Sequence, residues 1–148
     1  MKPYLLIAAL SALPALPALA ESKPVTYQVE DSFDNVTFAV ESAIVGRGLV
    51  IDYTSHTGEM LERTRGDVGS DKVLFTAADI FSFCSATISR QVMEADLSNI
   101  QNCPYTIFVY ETPGAPGKVT VGHRAYEGSM APVAELMSDI LTEALGLN

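Results

Sequence analysis

The spacing of apolar residues changes several times along this chain, and each change marks an element. Val25 to Val29 reads as a strand. From Phe33 the spacing becomes helical: Phe33, Val36, Val40 and Ile44 recur every three or four residues, Asp31 or Ser32 supplies an N-cap, and Gly46 and Gly48 end the helix. Leu49 to Tyr53 predicts a second strand and Thr57 to Arg65 a short helix, with a loop over Gly66 to Asp71. Ile80 to Cys84 predicts a third strand, with Val73 to Thr76 as its companion, and Ser85 caps a helix from Ala86 to about Leu97. Tyr105 to Glu111 has strong β-propensity. Pro113 to Gly117 is turn chemistry, and Val119 to Arg124 returns as a hairpin partner. The last helix starts near Pro132 and carries one apolar stripe: Val133, Leu136, Met137, Ile140, Leu141 and Ala144.

An amphipathic helix must bury one face. Three of them on one side of a four- to five-stranded mixed sheet give a two-layer α+β domain. The C-terminal stripe fits either this sheet or a homodimer contact.

Residues 1–20 have a different character. Lys2 precedes an apolar stretch from Tyr4 to Leu13, Pro14 and Pro17 interrupt it, and Ala18-Leu19-Ala20 is a small-x-small cleavage site. The stretch is too short for a membrane span of about 20 residues. It predicts a cleaved signal peptide (1–20) and a single exported domain (21–148), periplasmic or secreted, with no later membrane span. Cleavage removes one base and no acid, so the net charge falls from −9 to −10, 18 acids against 8 bases. That balance excludes nucleic acid and an anionic membrane surface as partners, because both need a basic stripe.

Export changes what the cysteines mean. Cys84 and Cys103 lie 19 residues apart with a helix between them. In an oxidising compartment they are a disulfide, a redox pair, or sulfur donors to a metal or haem. The disulfide needs Cα atoms within about 7 Å, and a parallel pairing of the third and fourth strands would put the sulfurs at opposite sheet ends, unless the segment Asp96 to Asn102 carries Cys103 back. For redox exchange, Cys84 stands before a helix N-terminus, where thiolate is favoured, but there is no Cys-x-x-Cys. A metal or haem site would recruit His56, His123 and Met93 beside the sulfurs, donors that suit copper or zinc. Asp52 with His56, or Glu111 with His123, would make an acid–base pair. No nucleophile elbow, P-loop or dinucleotide fingerprint occurs.

Phe83-Cys84-Ser85-Ala86-Thr87, then Met93, then Cys103-Pro104 and the strand Tyr105 to Glu111 form an ordered set. In that order they resemble the DUF302 family of small α+β domains. The resemblance places Cys84 at the family's turn, Met93 at the helix Met, Pro104 at the strand-opening Pro and Tyr110-Glu111 at the strand end. Departures are Ser85-Ala86 in place of Asn-Pro, Tyr53 where many members carry His, and Cys103 before Pro104 instead of after it. The resemblance implies a fold and no reaction. The expectation is an exported accessory protein, more a binding module than an enzyme, that takes a small ligand or a partner protein and carries a Cys84–Cys103 disulfide. The alternatives are a metal- or haem-binding redox accessory, and a thiol oxidoreductase or hydrolase. No particular cofactor is implied.

Overall fold

Ser32 opens the helix layer. Its Oγ accepts the Asn35 N–H at 3.2 Å, which satisfies one of the orphan donors of the first turn. The helix that follows, α1 (Phe33–Gly46), buries Val36, Val40, Ala43 and Ile44 on one face. The computed structural model describes residues 22–147; the predicted signal peptide lies outside them. The strands are β1 (Val25–Glu30), β2 (Val50–Ser55), β3 (Ala77–Cys84), β4 (Tyr105–Glu111) and β5 (Lys118–His123). The other helices are α2 (Thr57–Thr64), α3 (Ala86–Ala95) and α4 (Ala131–Leu145), and a 3-10 segment spans Leu97–Asn102. They form one five-stranded sheet in the order β1-β5-β4-β3-β2.

Strand alternation divides this sheet into two unlike faces. Phe81 and Phe83 of β3, Tyr105, Ile107 and Val109 of β4, and Val119 and Val121 of β5 belong to the buried core. The same core takes Val92 of α3 and Val133, Met137, Ile140 and Leu141 of α4, while Tyr27, Val29 and Ile51 pack at its edge. Fully burying an aliphatic or aromatic side chain is worth about 1.5–3 kcal/mol, so this single layer of contacts holds the helices to the sheet. The C-terminal stripe therefore packs on its own sheet. The two-layer α+β architecture is as the pattern predicts.

Two expectations are corrected. The sheet is antiparallel in all four ladders and not mixed. The reason lies in the return from β3 to β4. Ten residues of α3 travel about 15 Å, and the six-residue 3-10 segment covers about 12 Å, so the chain comes back near its point of departure. Asp96 makes the reversal: its extended backbone ends α3, and its Oδ1 accepts from Ser98 N–H at 2.9 Å and Ser98 Oγ–H at 2.7 Å. The second correction concerns Val73 to Thr76, which is not a strand; β3 begins at Ala77 and absorbs Ala78 and Asp79.

Candidate functional site

The inward row of β3 runs Phe83, Phe81, Asp79, so an acid ends a row of core aromatics. It stands opposite Val109 of β4, at the margin between core and solvent. His56, just after β2, reaches it: Nδ1–H donates to Asp79 Oδ1 at 2.9 Å. The hydrogen bond and negative charge of Asp79 raise the His56 pKa above its ordinary value, and the charge of Glu59 adds to this. The rest of the imidazole stays exposed. Gly58 makes the approach sterically feasible, because a Cβ there would lie 2.6 Å from the backbone N of Ala78. The start of α2 thus rests directly on the start of β3.

Between α1 and α2 this arrangement leaves an open groove of about 680 Å³. Its polar lining is Asp34, His56, Glu59, Glu62, Thr76 and Asp79, and its apolar lining includes Phe33, Val73, Phe75 and Pro113. No Lys or Arg lines it. Glu62 is answered from outside by Arg65, at 2.9 Å. Asp34 and Glu59 form no ion pair among the described residues.

The two sulfurs meet elsewhere. Antiparallel pairing makes Phe83 and Tyr105 cross-strand neighbours, so Cys84 and Cys103 emerge at one sheet end. Their Cα atoms are 6.5 Å apart and they form a disulfide, which leaves neither sulfur as a free thiolate. His56 is bonded to Asp79, five residues back along β3 and so about 17 Å from Cys84. Met93 packs against the core from α3. His123 is buried at the end of β5, donates Nδ1–H to the Arg124 carbonyl at 2.7 Å and stacks on Tyr126 at 5.9 Å. Burial lowers its pKa, and the bond to Arg124 opposes this. Among the described residues no three His, Cys, Asp or Glu side chains converge as metal ligands.

Neither acid–base pair expected from the sequence forms. The partner of His56 is Asp79 and not Asp52. Glu111 pairs across the ladder with Val119, four residues from His123, and its Oε1 accepts from Gly117 N–H at 3.3 Å. Asp79 is the site residue that the sequence pattern missed. With β3 started at Ile80, it fell outside the strand; the period-two row Phe83, Phe81, Asp79 is the signal that would have found it.

A family model described as "Domain of unknown function DUF302" matches residues 25–145. The chain belongs to the DUF302 family. The match runs from β1 to the last turn of α4, so the groove and the disulfide both lie within the DUF302 domain. Among solved structures, an uncharacterized conserved DUF302 protein from Bacillus stearothermophilus aligns with a TM-score of 0.57 and 15% identity, over 84% of this chain and 88% of that one. At that identity the likeness carries the fold alone. No curated protein matches the chain.

Proposed function

We propose that this DUF302 domain is an exported accessory module that binds a small ligand in the His56–Asp79 groove, and that the ligand is a compact organic cation with an apolar body. One observation carries this reading: the groove is lined by four carboxylates and one imidazole, with no Lys or Arg, against the walls of Phe33 and Phe75. Asp79 is bonded to His56 and Glu62 to Arg65, which leaves Asp34 and Glu59 as the groove acids without an ion pair among the described residues. A cleft of net negative charge concentrates counter-ions, and an aromatic face attracts a cation by roughly 0.5–1 kcal/mol at an exposed site. Exposed ion pairs add about 0–1 kcal/mol each. The sum is a modest affinity, suited to capture and release instead of permanent retention. The Asp79–His56 bond fixes the floor of the groove, which lowers the ordering cost of binding. Export is supported by the leader pattern and by the disulfide, which persists in oxidising compartments.

Calorimetry with phenethylammonium and phenylacetate tests it, because the two differ in charge and share an aromatic body. The amine binds to the oxidised mature chain, the acid does not, and salt weakens the amine. Glu59→Gln and Asp79→Asn reduce binding by several-fold. Equal binding of both probes, or no binding of the amine, refutes the cation reading. For export, the expressed chain begins at Glu21 by mass; a retained leader with two free thiols refutes that part.

A further inference from the structure

Among the described residues, one ring nitrogen of His56 has a hydrogen-bond partner and the other has none. A carboxylate only accepts hydrogen bonds. The 2.9 Å contact between Nδ1 and Asp79 Oδ1 therefore holds the ring proton on Nδ1. Nε2 of the neutral imidazole keeps its lone pair and is an acceptor. His56 stands at the N-cap of α2, yet its side chain makes no capping bond. The side chain is 59% exposed and lines the groove, so Nε2 is the ring atom open to a ligand.

The charged groups around this acceptor have one sign. Asp79 lines the groove from β3, Glu59 and Glu62 from α2, and Asp34 from the start of α1, with no Lys or Arg among them. Glu62 is held by Arg65. With the ring neutral, Asp79 keeps its charge and Asp34 and Glu59 add theirs, so a cation is drawn toward Nε2. An ammonium ion brings N–H donors, and a bond from one of them to the lone pair is charge-assisted, hence stronger than a neutral one. A quaternary ion carries the same charge and has no N–H to give. Protonation of the ring removes the lone pair, turns Nε2 into a donor and offsets the charge of Asp79. The second imidazole, His123, lies on β5, two strands from β3, and does not line the groove.

We propose that His56 is the specificity-determining residue of the groove: its neutral Nε2 accepts an N–H of the bound cation, so the groove prefers primary and secondary ammonium ions over quaternary ones. This selection rests on the cation reading of the same groove. Asp79 is a positioning residue, because it acts through the ring it holds. A proton and the ligand compete for one lone pair. Acidification therefore releases the ligand, and the bound ammonium ion makes His56 harder to protonate, as linkage requires. The hydrogen bond and charge of Asp79 hold the ring's pKa above its ordinary value, which brings the exchange close to neutral pH.

Calorimetry of the oxidised mature chain with phenethylammonium and phenethyltrimethylammonium tests this. The two probes share charge and aromatic body, and both stay cationic over the range used. At about pH 8 the primary amine binds on the order of tenfold tighter than the trimethyl ion, and at about pH 5.5 the ratio falls toward one. His56→Phe keeps a ring and removes both nitrogens, so its ratio is the same at both pH values. In the wild type, saturating phenethylammonium lowers the His56 titration midpoint in proton NMR by about one pH unit, the counterpart of a tenfold change in affinity; this measurement needs no variant. A wild-type ratio that does not change with pH overturns the selection while cation binding stands. So does a His56 midpoint that the amine leaves in place, or a pH-dependent ratio in folded His56→Phe. Failure of both ions to bind at either pH overturns the cation reading and the selection together.

Discussion

Removing the disulfide should cost stability without touching the groove. Cys84 and Cys103 close a loop of about 20 residues whose ends are already neighbours through the Phe83–Tyr105 register. In the chain-entropy model a loop of that length restricts the unfolded chain by about 11 cal/mol/K, or about 3 kcal/mol at 25 °C. A domain of about 125 residues has an unfolding entropy near 0.26 kcal/mol/K, so the loss lowers Tm by roughly 12 °C. Calorimetric melts of the Cys84→Ser, Cys103→Ser double variant and of the reduced wild type are the assay. Both should melt lower by this amount and keep native circular dichroism at 25 °C. Amine binding should persist, because the sulfurs sit at the opposite end of β3 from Asp79. A melt unchanged by reduction would refute the loop-restriction argument. Loss of the fold on reduction would show that α3 and β4 depend on the bridge for more than entropy.

The chain contains only two histidines, so both imidazoles can be followed by proton NMR without ambiguity. His56 should titrate above about 6.5 and His123 below it; two overlapping curves would contradict the structure. Asp79→Asn should move His56 back toward its ordinary value and leave His123 in place. The linked stability effects have opposite signs. The His56–Asp79 bond contributes fully below about pH 6.5 and fades as pH rises through the raised folded value. Buried neutral His123 contributes above about pH 6.5, and that stability is lost as pH falls through its depressed folded value. Gly58→Ala sets a Cβ 2.6 Å from the Ala78 backbone N, so it should destabilise by about 1–3 kcal/mol and abolish amine binding together; a silent Gly58→Ala would place α2 elsewhere. Tyr105→Phe removes the 2.8 Å bond between the buried phenol and Ser89 Oγ and should cost about 1 kcal/mol in urea melts.

Much of this fold is legible in the sequence, for local reasons. Ser32 and Ser85 are N-caps in the structure as in the pattern, and the stripe from Val133 to Leu141 is buried as its spacing implies. What escaped is non-local. Nothing in the sequence period says whether β3 and β4 run parallel or antiparallel, and that choice decides whether Cys84 and Cys103 meet. It is set by the reversal at Asp96, an Asx-type turn at the end of a helix that the sequence pattern carried on to Leu97. The groove was hidden for a similar reason. His56 stood out as a titratable residue, but its partner is 23 residues away, on a strand whose start the pattern placed three residues late.

The most direct test of the groove reading is a titration of ¹⁵N-labelled oxidised domain with phenethylammonium. Saturable shifts should gather at Asp34, Thr57 to Glu62 and Asp79, with His56 moving alongside, and Cys84 and Tyr53 should stay still. The absence of saturable shifts, or shifts concentrated on Tyr53, Phe108 and Tyr110, would contradict it.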